Sequence, residues 1–134
     1  MVHVGGPLGY GPYAGKRDEV FKSWKASMPE LAKCPNVTSK LGGMLMRPAA
    51  FDYQNLELPP ASAEQAAVWG PYMGTCIDLF GPDRCMFESN FPVEKMGTAY
   101  ATIWNASKRI AAGASAVEKL ALFSGTARRA YRRA

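Results

Sequence analysis

A chain of 134 residues that is 48% hydrophobic and 20% charged can bury a core, so one globular unit, or part of one, is expected, and neither disorder nor several domains is the natural reading. The net charge of +5 suggests an anionic partner, yet Arg128, Arg129, Arg132 and Arg133 crowd the last residues and leave the body before them nearly neutral. Arginines there favour a helix C-terminus and a solvated end, so neither nucleic acid nor membrane is expected as a partner.

Cys34, Cys76 and Cys85 form no CxxC pair and have no metal-ligand spacing, so they read as reduced thiols. The chain does not open on a basic and then apolar leader, and nowhere does it approach the about 18 apolar residues of a membrane span. The expected location is therefore cytoplasmic, and the glycosylation sequons at Asn36 and Asn105 are chance matches.

In chain order, Val2-His3-Val4 before Gly5-Gly6-Pro7 predicts the end of a strand. A Gly-, Pro- and Tyr-rich loop runs to Gly15. Val20, Phe21, Trp24, Met28 and Leu31 then share a helical face, with Pro29 expected to kink that helix or restart it after Ser27. Residues 36–41 predict a second strand ending at Gly42-Gly43, and residues 44–61, with three prolines and no period, predict a long loop of the kind that is functional or mobile.

Ser62-x-x-Gln65 predicts a capping box for a helix carrying Trp69, Tyr72, Met73, Cys76, Ile77 and Phe80, with Pro71 opening its main segment and Gly81 closing it. Residues 84–90 predict a third strand leading into Phe91-Pro92. Tyr100, Ile103, Trp104, Ser107 and Ile110 predict a helix that stops at Gly113. Ser115-x-x-Glu118 caps another helix through Val117, Leu120, Ala121 and Phe123. Strands separated by helices of these lengths imply an α/β fold with parallel pairing, and the C-terminal strand ends, where sites gather, carry His3, Lys40 and Asn90.

His3 is the sole histidine; at a strand end it can be structural, or it can act as base, ligand or carbonyl polariser. One histidine cannot hold a catalytic zinc, which takes about three protein ligands, so no metal ligand set is expected. The run from Gly9 to Ala14 fits a dinucleotide fingerprint by letter, but Pro12 removes an amide and no helix opens at the required place. That loop instead offers Tyr10, Tyr13, Lys16 and Arg17 to an acidic or hydroxylated substrate. Glu88 and Glu94 flank Asn90, either as acid or base groups or as solvated or packing residues, and Lys40 can meet an anion or lie on the surface.

The segments His3-Val4-Gly5-Gly6-Pro7 and Lys40-Leu41-Gly42-Gly43, and above all the run from Phe80 to Val93 (FGPDRCMFESNFPV), resemble the last three units of amidohydrolase-related metal-dependent hydrolases and lactonases. This resemblance implies a partial (β/α)8 barrel: residues 1–134 as one incomplete domain contributing strands six to eight. It also implies hydrolysis of a lactone or other carboxylic-acid derivative by water attack, with a divalent metal such as zinc in the complete enzyme.

By the same resemblance, His3 binds or polarises the substrate carbonyl, and Asn90 falls where many relatives have an aspartate. Asparagine is a poor base, so either Glu94 or Glu88 would substitute or this branch works without that base. Tyr10, Arg17 and Lys40 would contact the small-molecule substrate. The family's HxH pair and middle-strand ligands are absent, so the chain alone is expected to be inactive. The alternative is a non-catalytic module that covers its open sheet edges by forming a homo-oligomer.

Overall fold

The computed structural model describes residues 1–49 and 51–132; Arg133, counted above with the basic tail, lies outside the described residues. Two short strands, β1 (Ser39–Leu41) and β2 (Cys85–Phe87), pair in parallel with Ser39 opposite Cys85 and Leu41 opposite Phe87. The Glu88 N–H donates to the Leu41 carbonyl at 3.1 Å and carries the pairing one step further. On the other side of β1, the Met1 amino group donates to the Thr38 carbonyl at 2.6 Å and the Lys40 N–H to the Met1 carbonyl at 2.9 Å. Two bonds flanking Ser39 in this way are the parallel pattern.

The predicted first strand is corrected. His3–Gly5 form a 3-10 turn, because the Gly5 and Gly6 N–H groups take the Val2 and His3 carbonyls at 3.0 and 2.8 Å, acceptors that a longer ladder would need. The other strands are also shorter than predicted. Residues 34–37 form a turn closed by Val37 N–H on the Cys34 carbonyl, and Arg84 belongs to a 3-10 turn, Pro82–Arg84.

Helix α1 (Arg17–Ala32) runs through Pro29 and α2 (Ser62–Phe80) through Pro71, so neither proline breaks or opens a helix as expected. Both prolines are exposed, as are Lys25 and Ala67 four residues earlier, so water can serve the carbonyls left without an N–H partner. The α2 cap is also displaced: Ala61 is the capping position and its N–H donates to the Glu64 carboxylate at 2.7 Å. Gln65 is buried instead and donates to the Pro60 carbonyl and the Thr98 hydroxyl.

Helix α3 (Tyr100–Ile110) matches its prediction, and the Ser115–Glu118 capping box opens α4 (Ala116–Leu120). A π-helical turn, Ala121–Gly125, then leads to α5 (Thr126–Ala130). Ala121, Leu122 and Thr126 are buried, whereas Val117 and Leu120 of α4, which precede the π turn and are predicted to lie on the inner face, are 77% and 65% exposed.

Trp69, Tyr72, Met73, Cys76 and Phe80 of α2 form the core with Val4, Met28, Leu41, Cys85 and Phe87. Arg84 pins two helix ends at once, donating to the Ala32, Cys34 and Phe80 carbonyls at 2.9–3.1 Å. It thereby satisfies carbonyls that a helix C-terminus leaves open. Among the described residues no helix is long and apolar enough to cross a membrane.

Candidate functional site

The C-terminal ends of the strands converge on Glu88. Lys40 pairs with Met86, and Glu88, two residues on and just past the end of β2, points to the same face because its N–H continues the pairing. One Glu88 oxygen meets Lys40 Nζ at 2.5 Å and the other meets His3 Nδ1 at 2.8 Å. A carboxylate gripped by an ammonium accepts from Nδ1–H, which leaves the Nε2 lone pair of neutral His3 for another partner. Glu88 holds the Lys40 pKa above its usual value, and the neighbouring Tyr131 adds to the effect against the opposing influence of burial.

The approach of these groups depends on Gly42 and Gly43. A Cβ on Gly42 would stand 2.4 Å from the Glu88 carbonyl oxygen, and one on Gly43, whose φ is +68°, 1.9 Å from His3 Nδ1. His3, Val4 and Asn90 all adopt left-handed backbone, with φ of 53°, 48° and 50°. For asparagine this is tolerated, but for valine it is a true outlier, held here by full burial and by the Trp24 indole N–H on its carbonyl at 2.8 Å. Strain of this kind gathers where a surrounding structure over-determines a site.

Glu94 is 2% exposed. The Leu45 N–H donates to its two oxygens at 3.2 and 3.0 Å, and Asn90 Nδ2 donates to one of them at 3.0 Å. Burial pushes its pKa up, against the lowering influence of the Asn90 and Leu45 hydrogen bonds and of the nearby His3. A carboxyl group whose folded pKa lies above 4.5 binds more protons folded than unfolded, so its contribution to stability falls as pH rises from about 4.5 through the folded pKa. Urea unfolding of wild type and Glu94→Gln should therefore show the variant gaining relative stability as pH is raised from 4.5 to 8; a difference that does not change with pH would contradict the assignment.

Two sets of contacts result: Glu88 joins His3 and Lys40, and Glu94 joins Asn90 and Leu45. Glu88 was readable from the sequence only as one of two carboxylates near Asn90; its two-residue spacing from Met86, continued just past the end of β2, was the signal for its inward direction. Tyr10 is 55% exposed on the Gly-Pro-Tyr loop. Arg17 opens α1 with its guanidinium 3.9 Å from the Phe51 ring centre and lines a cleft with Tyr13 and Asp52. Among the described residues no group of three His, Cys, Asp or Glu side chains is placed to hold a metal. With His3 Nδ1 and both Glu88 oxygens already engaged, the residues of this chain do not fit a complete metal site.

The amidohydrolase family model matches residues 1–133. The chain belongs to the amidohydrolase family. It is 31% identical over 121 residues to an L-fucono-1,5-lactonase of Burkholderia multivorans, an alignment that covers 85% of this chain and 36% of the lactonase. With the uncharacterized protein y4mH of Sinorhizobium fredii it is 38% identical over 112 residues, 84% of this chain and 33% of that protein. The chain therefore spans about a third of the length of these curated relatives.

Crystal structures of a Burkholderia multivorans amidohydrolase superpose over 98% of the chain. The form with bound HEPES has a TM-score of 0.80 at 29% identity and is covered over 43% of its length. The form with bound zinc has a TM-score of 0.79 at 30% identity and is covered over 42%. This amidohydrolase segment is thus α/β, with few strands and many helices.

Proposed function

We propose that residues 1–134 are one incomplete domain, the C-terminal portion of a (β/α)8 barrel. The Met1 edge, β1 and β2 stand for strands six, seven and eight. The assembled enzyme hydrolyses a lactone or related carboxylic-acid derivative by water attack. The observation that carries this reading is the His3–Glu88–Lys40 chain beside the Asn90–Glu94 pair at the C-terminal strand ends, the end where such folds build sites. The lactonase relative supplies the substrate class.

With Nδ1–H committed to Glu88, His3 Nε2 takes the proton of the attacking water as oxygen bonds to the carbonyl carbon. Glu88 stabilises the imidazolium, and the ring C–O bond then breaks, with the departing oxygen recovering the proton to give the hydroxy acid. The carbonyl-polarising role expected of His3 would need the doubly protonated ring. Lys40 serves by holding Glu88, while Tyr10 and Arg17 contact the substrate from the rim. Zinc is bound in one form of the Burkholderia multivorans amidohydrolase, and among the described residues of this chain no group of three His, Cys, Asp or Glu side chains could hold it.

Lactone hydrolysis should be absent from this chain alone and appear when the N-terminal portion of a relative is supplied; His3→Ala should then lower kcat by about 10²–10⁴-fold. Activity of the isolated chain that disappears with His3→Ala would overturn the incompleteness, and silence of the mixture would overturn the lactonase reading. A second reading, a self-associating non-catalytic module, draws on exposed Val117 and Leu120. A well-defined homo-oligomer by light scattering, together with silence of the mixture, would favour it.

A further inference from the structure

Asn90 has one amide edge to spend on the protein and one to offer the site, and Glu94 decides which is which. The Glu94 carboxylate is walled in, with both oxygens sharing the Leu45 N–H and one also taking a hydrogen bond from Asn90 across 3.0 Å. An ionised carboxylate has only acceptor capacity, so the NH₂ of Asn90 must turn to it and the carbonyl Oδ1 must turn away. The backbone supports the same pose: Asn90 sits at φ 50°, the Glu94 N–H approaches the Asn90 carbonyl at 3.4 Å, and the Ser89 hydroxyl holds the Phe91 N–H at 3.3 Å.

We infer that Glu94 is a positioning residue that makes Asn90 present a hydrogen-bond acceptor to the site, selecting an O–H donor there, either a substrate hydroxyl or the attacking water. This rests on the hydrolase reading for its substrate, but not for its geometry. An aspartate at position 90 would set a second carboxylate against buried Glu94, with like charges in contact. The neutral amide therefore fits beside a carboxylate already buried four residues along the chain. Glu94 acts through Asn90 and does not itself take the proton from water.

The test on the chain alone is the exchange of the Asn90 side-chain amide protons, followed by proton–nitrogen NMR at pH 8 with exposed Asn105 as internal control. In wild type, exchange at Asn90 should be slower than at Asn105 by on the order of tenfold; equal rates would overturn the inference without any variant. In Glu94→Gln the introduced amide turns its NH₂ towards Asn90, the Asn90 NH₂ faces the site, and the protection should disappear.

With the N-terminal portion supplied, Glu94→Gln should raise KM for a polyhydroxylated lactone by about tenfold, the worth of one hydrogen bond, and leave the deoxy analogue within about twofold if the donor is a substrate hydroxyl. A fall in kcat shared equally by both substrates identifies water as the donor. The double variant Asn90→Asp with Glu94→Gln restores an acceptor facing the site and should recover the loss, which a merely structural Glu94 would not allow; failure to recover overturns the inference. Protection at Asn90 without hydrolysis in any mixture would sink the lactonase reading and leave the positioning intact.

Discussion

Gly42→Ala should destabilise the chain by about 3 kcal/mol, the upper part of the range for forcing atoms into a packed site. The added Cβ would lie 2.4 Å from the Glu88 carbonyl oxygen, and that obstacle is backbone, so no rotamer change relieves it. The carbonyl belongs to the residue whose N–H extends the pairing of β1 with β2. Making room therefore means separating the strand ends that carry Lys40 and Glu88. The same substitution at Gly74, inside α2 with nothing within 4 Å of the added atom, should instead stabilise by about 0.5–1 kcal/mol through helix propensity and a less flexible unfolded chain. Urea midpoints of the two variants read the comparison directly, and a Gly42→Ala protein as stable as wild type would mean that the strand ends are not packed as described.

Glu88→Ala should cost about 2–3 kcal/mol near neutral pH. Removing one member of a buried ion pair typically costs about 3–5 kcal/mol, and the figure here is smaller because the His3 and Lys40 side chains keep 25% and 28% of their exposure. The loss has a pH signature. Glu88 raises the Lys40 pKa above 10.5, so the stabilisation it gives is fully present below about 10.5 and is lost as pH rises through the folded pKa. The gap between wild type and Glu88→Ala should therefore narrow in strongly alkaline solution, measured by denaturation at pH 8 and again above 11. A gap that widened would mean Lys40 draws its support from elsewhere. On the proposed hydrolase reading the same variant should mimic much of His3→Ala, since the imidazole loses the group that fixes its tautomer.

The apolar stripe from Trp69 to Phe80, the face from Tyr100 to Ile110 and the Ser115–Glu118 box were all legible because helical periodicity and capping are local: each is decided by residues within about one or two turns. The FGPDRCMFESNFPV run carried the family for a related reason, since it packs a turn, a strand and a site into consecutive positions. Where local rules met solvent they gave way. Pro29 and Pro71 sit inside helices at solvent-exposed positions, and Val117 and Leu120 of α4 point to solvent while Ala121, Leu122 and Thr126 after them are buried.

By itself, then, the sequence determined the helices, which are set by neighbours along the chain, and its strand–helix–strand order and FGPDRCMFESNFPV run implied the parallel α/β arrangement and the kinship. Only the tertiary structure decided the chemistry of the strand ends. His3 and Glu88 meet across 85 residues and Leu45 and Glu94 across 49, and no pattern in one segment states which atoms another segment will present to it. Whether a carboxylate is solvated, as the sequence allowed for Glu94, or sealed and spent on a neighbouring amide depends on what packs over it, and that is a property of the folded whole.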